Sequence, residues 1–168
     1  MVIGGAKHMK QINNNCVEVL PSLLNKTKVQ TIRKAWRVIT TAGIQARFFP
    51  EIPTTSISPK YKVGETVEIV WTGDINRTAW KWLPKGSQPI LGKAIITEVF
   101  EIEIRKNSEY QFRYIHSDHW WSQEGGRAKE LSECDGFKSA KQMFEYFNKN
   151  YNLSTPKKFH VYRWRWLK

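Results

Sequence analysis

The sequence predicts an α+β protein, a small β-barrel with helices packed on it. Several separate segments alternate apolar and polar side chains, as half-buried strands do. One amphipathic helix pattern stands late in the chain. The 168 residues are 40% hydrophobic and 13% aromatic, which suits a single domain with its own core. Many strands and few helices favour a barrel with helices on it.

The first elements follow a terminus that we expect to be flexible, residues 1–15, ahead of a single domain at 16–168. Residues 16–24 are apolar and contain Pro21, which predicts a short helix beginning near the proline. Residues 28–33 then alternate as a short strand does. On this strand Thr31 and Arg33 share one face, and Lys28 lies on the other face near the start.

The middle of the chain predicts three strands between long loops. Residues 38–59 and 75–89 carry the prolines and turn residues of irregular loops. Residues 66–71 alternate as a half-buried strand, and residues 92–104 form the strongest strand pattern. The alternation slips at Glu98, which predicts a β-bulge there. A further strand is expected at 110–115.

The last third predicts the main helix and a closing strand. Apolar residues recur at helical spacing through 139–151, and Ser139 with Gln142 forms a capping box. Residues 159–166 then alternate as a strand. The preceding range 107–129 is expected to be a long loop.

The charge of the chain favours nucleic acid as a partner. It has 27 Lys and Arg against 15 Asp and Glu, a formal charge of +12 and a pI of about 9.8. A field of this strength attracts polyanions. The spacing of Cys16 and Cys134 is not that of a zinc site or a redox pair, and the sequence leaves open whether they form a disulfide. We expect no cofactor, and no membrane span or signal peptide is visible, which predicts a cytoplasmic protein.

Several segments in this order resemble the ASCH family of the PUA-like superfold. The match runs from about residue 17 to residue 167 and rests on order and spacing. The segments that carry it are Lys28-Val29-Gln30-Thr31-Ile32-Arg33, Tyr61-Lys62-Val63-Gly64-Glu65, Gly92-Lys93-Ala94-Ile95-Ile96-Thr97-Glu98-Val99, Asp135-Gly136-Phe137 and the final aromatic strand.

The resemblance implies a PUA-like barrel of five or six strands with a cleft facing the N-terminal helix. Members of the family are thought to bind RNA, and some are acetylcytidine amidohydrolases or ribonucleases. Their catalytic lysine, threonine and glutamate correspond here to Lys28, Thr31 and Asp135. This chain has the shorter acid at the third position, and Val29 stands where a threonine is usual.

Each of these residues also has a plainer interpretation. The segment with Lys28 and Thr31 can be a solvated basic edge strand without a functional role. A lysine on such a strand prevents it from pairing with strands of other molecules. Asp135 can be a turn or cap residue before the following helix. Glu133 is the neighbouring acid that would replace it if the register differed by two.

Basic and aromatic residues elsewhere are candidate nucleic-acid contacts, because guanidinium groups bind phosphate and indoles stack on bases. The candidates are Arg33, Lys34, Arg37, Arg163, Arg165, Trp80 and Trp82. A solvated face, or tryptophans that fill the barrel, is the alternative. His116, Asp118 and His119 precede Trp120 and Trp121, but they lack the further donors of a zinc site. We therefore expect no metal there and interpret the segment as a loop with aromatic anchors.

Three functions remain open from the sequence. The first is an RNA-binding module whose basic cleft holds a nucleotide or an RNA segment. The second is a hydrolase that acts on a modified cytidine or on RNA through Lys28, Thr31 and Asp135. The third is a protein-interaction adaptor that uses the same cleft for a peptide. The sequence does not predict an oligomeric state.

Overall fold

The computed structural model describes residues 9–35, 59–74, 80–84 and 86–168 and shows an α+β protein. Its described strands are β1 (Gln11–Asn14), β2 (Gln30–Lys34), β3 (Thr66–Trp71), β4 (Ile90–Lys106), β5 (Tyr110–Tyr114), β6 (Trp121–Ser122) and β7 (Lys157–Trp166). Its described helices are α1 (Leu20–Leu24), α2 (Gly126–Cys134) and α3 (Ala140–Tyr151), and a 3-10 turn at Val17–Val19 leads into α1.

The strands form one mixed sheet centred on β4. Along one edge β4 pairs with β7. Along its other edge it pairs first with β3 and then with β5. β1 lies parallel to β3, β2 is antiparallel to β7, and β6 pairs with β5. Among the described residues this seven-stranded sheet does not close into a barrel, because no backbone pairing joins β1 to β2.

The long strand β4 bends at the predicted position. Its pairing with β7 shifts register between Ile96 and Glu98, as a β-bulge does. Before the shift Ile96 pairs with Trp164, and after it Glu98 pairs with Arg163. The first half of this bent strand pairs with β3 and its second half pairs with β5.

Helix α3 packs its apolar stripe against one face of the sheet. Met143, Phe144 and Phe147 are buried, and the Phe147 ring lies 5.2 Å from that of Phe159 on β7. The Ser139 hydroxyl accepts the backbone N–H of Gln142, the cap that the sequence predicts. None of the helices in the described part of the chain has the length and apolar character of a membrane span.

Three elements differ from the sequence-based expectation. Within the expected flexible terminus, residues Gln11–Asn14 form β1, which is held by parallel pairing to β3. Within the expected loop at 107–129 lie β6 and the start of α2. Their own side chains give little pattern: β6 has two residues, and α2 buries only Ala128, Leu131 and Ser132. Backbone pairing and tertiary packing, rather than periodicity, therefore determine these elements. Most of the expected loop at 38–59 lies outside the described residues.

Candidate functional site

A cavity of about 60 Å³ lies where β2, the end of β1 and the turn between α2 and α3 meet. Its walls combine polar groups from β1 and β2 with aromatic rings from α3. The lining residues are Asn14, Asn15, Cys16, Val19, Lys28, Thr31, Ile32, Arg33, Asp135, Phe137, Tyr146, Phe147 and Tyr151. All three predicted catalytic residues are therefore on its walls.

A buried ion pair forms the floor of this cavity. The Lys28 ammonium donates to Asp135 twice, to the carboxylate Oδ1 at 2.6 Å and to the backbone carbonyl at 2.5 Å. The two side chains are only 3% and 5% exposed. The Lys28 Nζ also lies 5.9 Å from the centre of the Trp164 ring, within the range of a cation–π contact. Asp135 is thus the acid that partners Lys28, and it also occupies the C-cap of α2.

Hydrogen bonds from three elements, α1, α2 and β7, hold the backbone around Lys28 in place. Its N–H donates to the Ser22 carbonyl at 3.0 Å, and the Val29 N–H donates to the Cys134 carbonyl at 3.0 Å. The Trp166 indole N–H donates to the Lys28 carbonyl at 2.8 Å. Lys28 precedes β2, so its side chain is not confined to the face opposite Thr31, and both residues line the same cavity.

The glycine after Asp135 is required by the turn. Gly136 has φ +88°, a left-handed conformation that favours glycine. A Cβ atom on Gly136 would collide with the Ser22 hydroxyl and lie 3.3 Å from the Lys28 Cβ. The Asp-Gly pair therefore lets the acid approach α1 and Lys28 closely.

Burial moves the pKa values of the two charged partners toward each other. Desolvation lowers the pKa of the Lys28 ammonium, although the charge of Asp135 opposes that shift. Desolvation also raises the pKa of the Asp135 carboxyl, against the attraction of Lys28 and Arg33. Shifts of this kind occur at catalytic acid–base groups and also in structural ion pairs.

Thr31 and Arg33 complete the polar wall on β2. Thr31 is 4% exposed, and among the described residues its hydroxyl has no hydrogen-bond partner. The Arg33 guanidinium donates to the carbonyl of Asn13, which joins β2 to β1 through a side chain. The ammonium of Lys34 lies 5.8 Å from the ring of Tyr151. Of the charged residues that line the cavity, Lys28 and Arg33 are cations and Asp135 is the one carboxylate, so the lining carries a net positive charge.

Residues at the rim were not found from the sequence. The Cys16 thiol donates to the Glu18 carboxylate at 3.1 Å, and burial with this neighbour raises the pKa of Cys16 to about 12. Burial likewise raises the pKa of Tyr146 to about 12. Both groups are protonated near neutral pH, so Cys16 is not a thiolate nucleophile. Tyr146 lies within the predicted helix but outside its predicted apolar stripe, and no local pattern placed Cys16 beside it.

The other sequence-predicted contacts lie away from the cavity. Arg163 is held by Gln30, at 2.8 Å, and by the carboxylates of Glu98 and Glu130, at 3.2 and 3.7 Å. Arg165 is exposed. Trp80 packs partly against the core, whereas Trp82 is 69% exposed.

Two further predicted residues can also be placed. Glu133 points away from the pair, with a side chain 59% exposed near Lys129. Arg37 lies outside the described residues. Within the described ranges, no group of three or more His, Cys, Asp and Glu side chains is arranged to hold a metal ion.

The site therefore offers an anion-receptive pocket, a hydroxyl and a buried ion pair. Comparison of the whole chain with protein-family models, curated proteins and solved structures finds no match.

Proposed function

We propose that this chain is an ASCH-like module of the PUA-like type that binds RNA, with the cavity as the receptor for one group of a nucleotide. The observation that carries the proposal is the meeting of Lys28, Thr31, Arg33 and Asp135 on one cavity. An ammonium, a guanidinium and a hydroxyl together suit a phosphate or a polarised carbonyl.

The size of the cavity limits what enters it. Pockets that enclose drug-sized ligands measure roughly 300 Å³ or more, whereas this cavity holds about 60 Å³. A phosphate or the polar edge of one base fits this volume, and the rest of the nucleotide stays outside. The proposal is therefore a module that anchors one group and relies on its surface for the remaining strand.

The charge of the whole chain supports an extended polyanion. A net charge of +12 exceeds what a single nucleotide would neutralise. Lysine and arginine contacts to phosphates release counterions, so affinity for RNA should fall steeply as salt rises.

The test is the binding of labelled single-stranded RNA at several salt concentrations. We expect Arg33→Gln to weaken binding and to reduce the slope of log affinity against log salt by about one. The matched control is Lys141→Gln, an exposed cation on α3 that is far from the cavity lining. Absence of RNA binding by the wild-type protein at low salt would overturn the proposal.

A second candidate function, hydrolysis of an acyl group on a modified cytidine, is favoured by the same convergence. In this mechanism neutral Lys28 takes the Thr31 hydroxyl proton as the oxygen attacks the acyl carbonyl. The C–N bond to the base then breaks, the base nitrogen receives the proton, and water later releases the acyl group from Thr31. The lowered pKa of Lys28 favours its neutral form, while Asp135 holds the amine in place.

Incubation with acetylated cytidine and with labelled RNA separates the two functions. Turnover that is lost in both Lys28→Met and Thr31→Val supports the hydrolase. RNA binding without turnover supports the binding module alone. Turnover that survives Lys28→Met would exclude this hydrolytic mechanism.

A further inference from the structure

A tryptophan lies flat against two arginines on the β4–β5 part of the sheet. The guanidinium carbon of Arg105 is 3.7 Å from the centre of the Trp120 ring, and that of Arg113 is 4.7 Å away. Nearby, Arg127 lies 5.2 Å from the ring of Trp121. We call Arg105, Arg113 and Trp120 the tryptophan–arginine surface.

Neighbouring side chains fix the orientation of these guanidinium groups. Arg113 is the cross-strand partner of Glu103 and forms an ion pair with it at 3.1 Å. The Arg105 Nε donates to the Gln111 side chain at 2.9 Å. Among the described residues, Arg105 has no carboxylate within ion-pair distance, so one of the two positive charges of this surface is uncompensated.

The neighbouring Trp121 is instead packed against the hydrophobic core. The His119 ring meets the Trp121 ring edge-on at 4.3 Å between centroids. The buried Trp121 indole N–H has no hydrogen-bond partner in the part of the chain that the structure describes. Unpartnered buried donors are uncommon in folded proteins, and this one lies below the surface, where a ligand bound on the surface does not reach it.

The strand register places this surface on the face of the sheet that carries Arg33, opposite the face of Trp121, which pairs with the buried Phe112. Arg33 on β2 pairs with His160 on β7, which in turn pairs with Glu101 on β4. Glu103 and Arg105 follow Glu101 at alternate positions and so share its face. β2 and β5 are three strand spacings apart, roughly 15 Å across the sheet, and Arg105 lies four residues beyond Glu101, roughly 13 Å further along β4.

We infer that the tryptophan–arginine surface is a second contact site for a single-stranded nucleic acid, beyond the cavity. This inference rests on the proposed RNA-binding function. Indoles and flat guanidinium groups stack on unpaired bases, and uncompensated arginines bind phosphates. An acidic peptide would satisfy the charges but has no planar bases to stack on the exposed parts of these side chains.

The experiment compares two probes on the same variants: a single-stranded RNA of about ten nucleotides and inorganic phosphate. We expect Trp120→Leu and Arg105→Gln to weaken RNA binding roughly tenfold or more. Neither should change phosphate binding at the cavity. Trp120→Phe, which keeps an aromatic face, should retain most of the affinity, and Lys141→Gln is the charge control.

The outcomes separate this inference from the proposed function. If the wild-type protein does not bind RNA at low salt, the proposed function itself fails. If it binds RNA and both surface variants bind equally well, only the second contact site is overturned. Displacement of RNA by polyglutamate as readily as by unlabelled RNA would indicate an acidic peptide partner and would also overturn it.

A crosslinking measurement covers variants that fail to fold. Photoactivated crosslinking of wild-type protein to thiouridine-containing RNA should label the peptide that contains Trp120 and Trp121. RNA that crosslinks elsewhere on the protein but never to that peptide would contradict the inference.

Discussion

Lys28 and Asp135 meet where neither side chain reaches solvent. Each charge loses most of its hydration, and their contact at 2.6 Å recovers only part of that cost. Proteins with apolar residues at such positions are often equally stable, so an ion pair here adds little to stability. Its value lies in keeping polar groups on the wall of the cavity.

Removing one partner of this pair should destabilise the protein strongly. Asp135→Asn leaves the Lys28 charge buried without a counter-charge, and we expect the free energy of unfolding to fall by about 3–5 kcal/mol. The double variant Lys28→Met with Asp135→Leu, of similar volume, should recover most of that loss. Chemical denaturation measures both.

Glu133→Gln is the matched control for this prediction. Its carboxylate is two residues away from Asp135, and its side chain is 59% exposed. We expect a change within about 0.5 kcal/mol. A small loss in Asp135→Asn, comparable to that control, would show that the pair is open to water.

At the scale of elements, the turn between α2 and α3 positions the acid. Asp135 ends α2, Gly136 turns the chain with positive φ, and Phe137 packs on Tyr146 and Phe147 of α3. The ring contacts anchor the turn on one side, and the approach of Gly136 to Ser22 anchors it on the other.

Gly136→Ala should therefore lower the free energy of unfolding by more than the strain of its backbone conformation alone would. A left-handed non-glycine residue costs about 1–2 kcal/mol, and here the added Cβ also collides with the Ser22 hydroxyl. Gly64→Ala is the matched control, because Gly64 has φ +86° and nothing within 4 Å of its Cβ. We expect Gly136→Ala to lower the free energy of unfolding more than Gly64→Ala does.

A double variant identifies the source of the difference. Adding Ser22→Ala to Gly136→Ala removes the oxygen that the new Cβ meets and should return part of the excess loss. Equal losses in Gly136→Ala and Gly64→Ala would mean that the turn is not tightly packed against α1.

The element scale also shows what the sequence can predict. Strands β3, β4 and β7 and helix α3 are rich in apolar residues at strand or helix spacing, so their positions were predicted to within a few residues. β1, β6 and α2 are determined by their partners: Ile12 is the one buried apolar residue of β1. Periodicity cannot reveal such elements.

The candidate site likewise contains residues that were proposed from the sequence and residues that only the structure reveals. Lys28, Thr31 and Asp135 were proposed together only through a family resemblance, since they are separated along the chain. Cys16 and Tyr146 at the rim, and the stacking of Arg105 and Arg113 on Trp120, depend on tertiary contacts without a sequence pattern. The predicted role of Arg163 in nucleic-acid binding overlooked Glu98 and Glu130, which hold its guanidinium.

At the scale of the whole molecule, one charge imbalance affects both folding and binding. The formal charge is +12, so the excess positive side chains repel one another in the folded state. Exposed ion pairs such as Lys129–Glu133, at 3.9 Å, contribute at most about 1 kcal/mol each and do not offset this repulsion. Added salt screens the repulsion and also weakens attraction to a polyanion, so the same ions should act in opposite directions on stability and on binding.

We therefore expect the melting temperature to rise between about 0.01 and 0.1 M salt, where the screening length falls from about 30 to 10 Å. Over the same range the affinity for single-stranded RNA should fall. At low salt the RNA itself should raise the melting temperature, because a ligand that binds the folded state stabilises it, and this gain should shrink as salt is added. Thermal unfolding with and without RNA measures both effects in one series. A melting temperature that falls with salt would show that attractive ion pairs outweigh the net charge, and the excess of basic residues would then no longer support a polyanion partner.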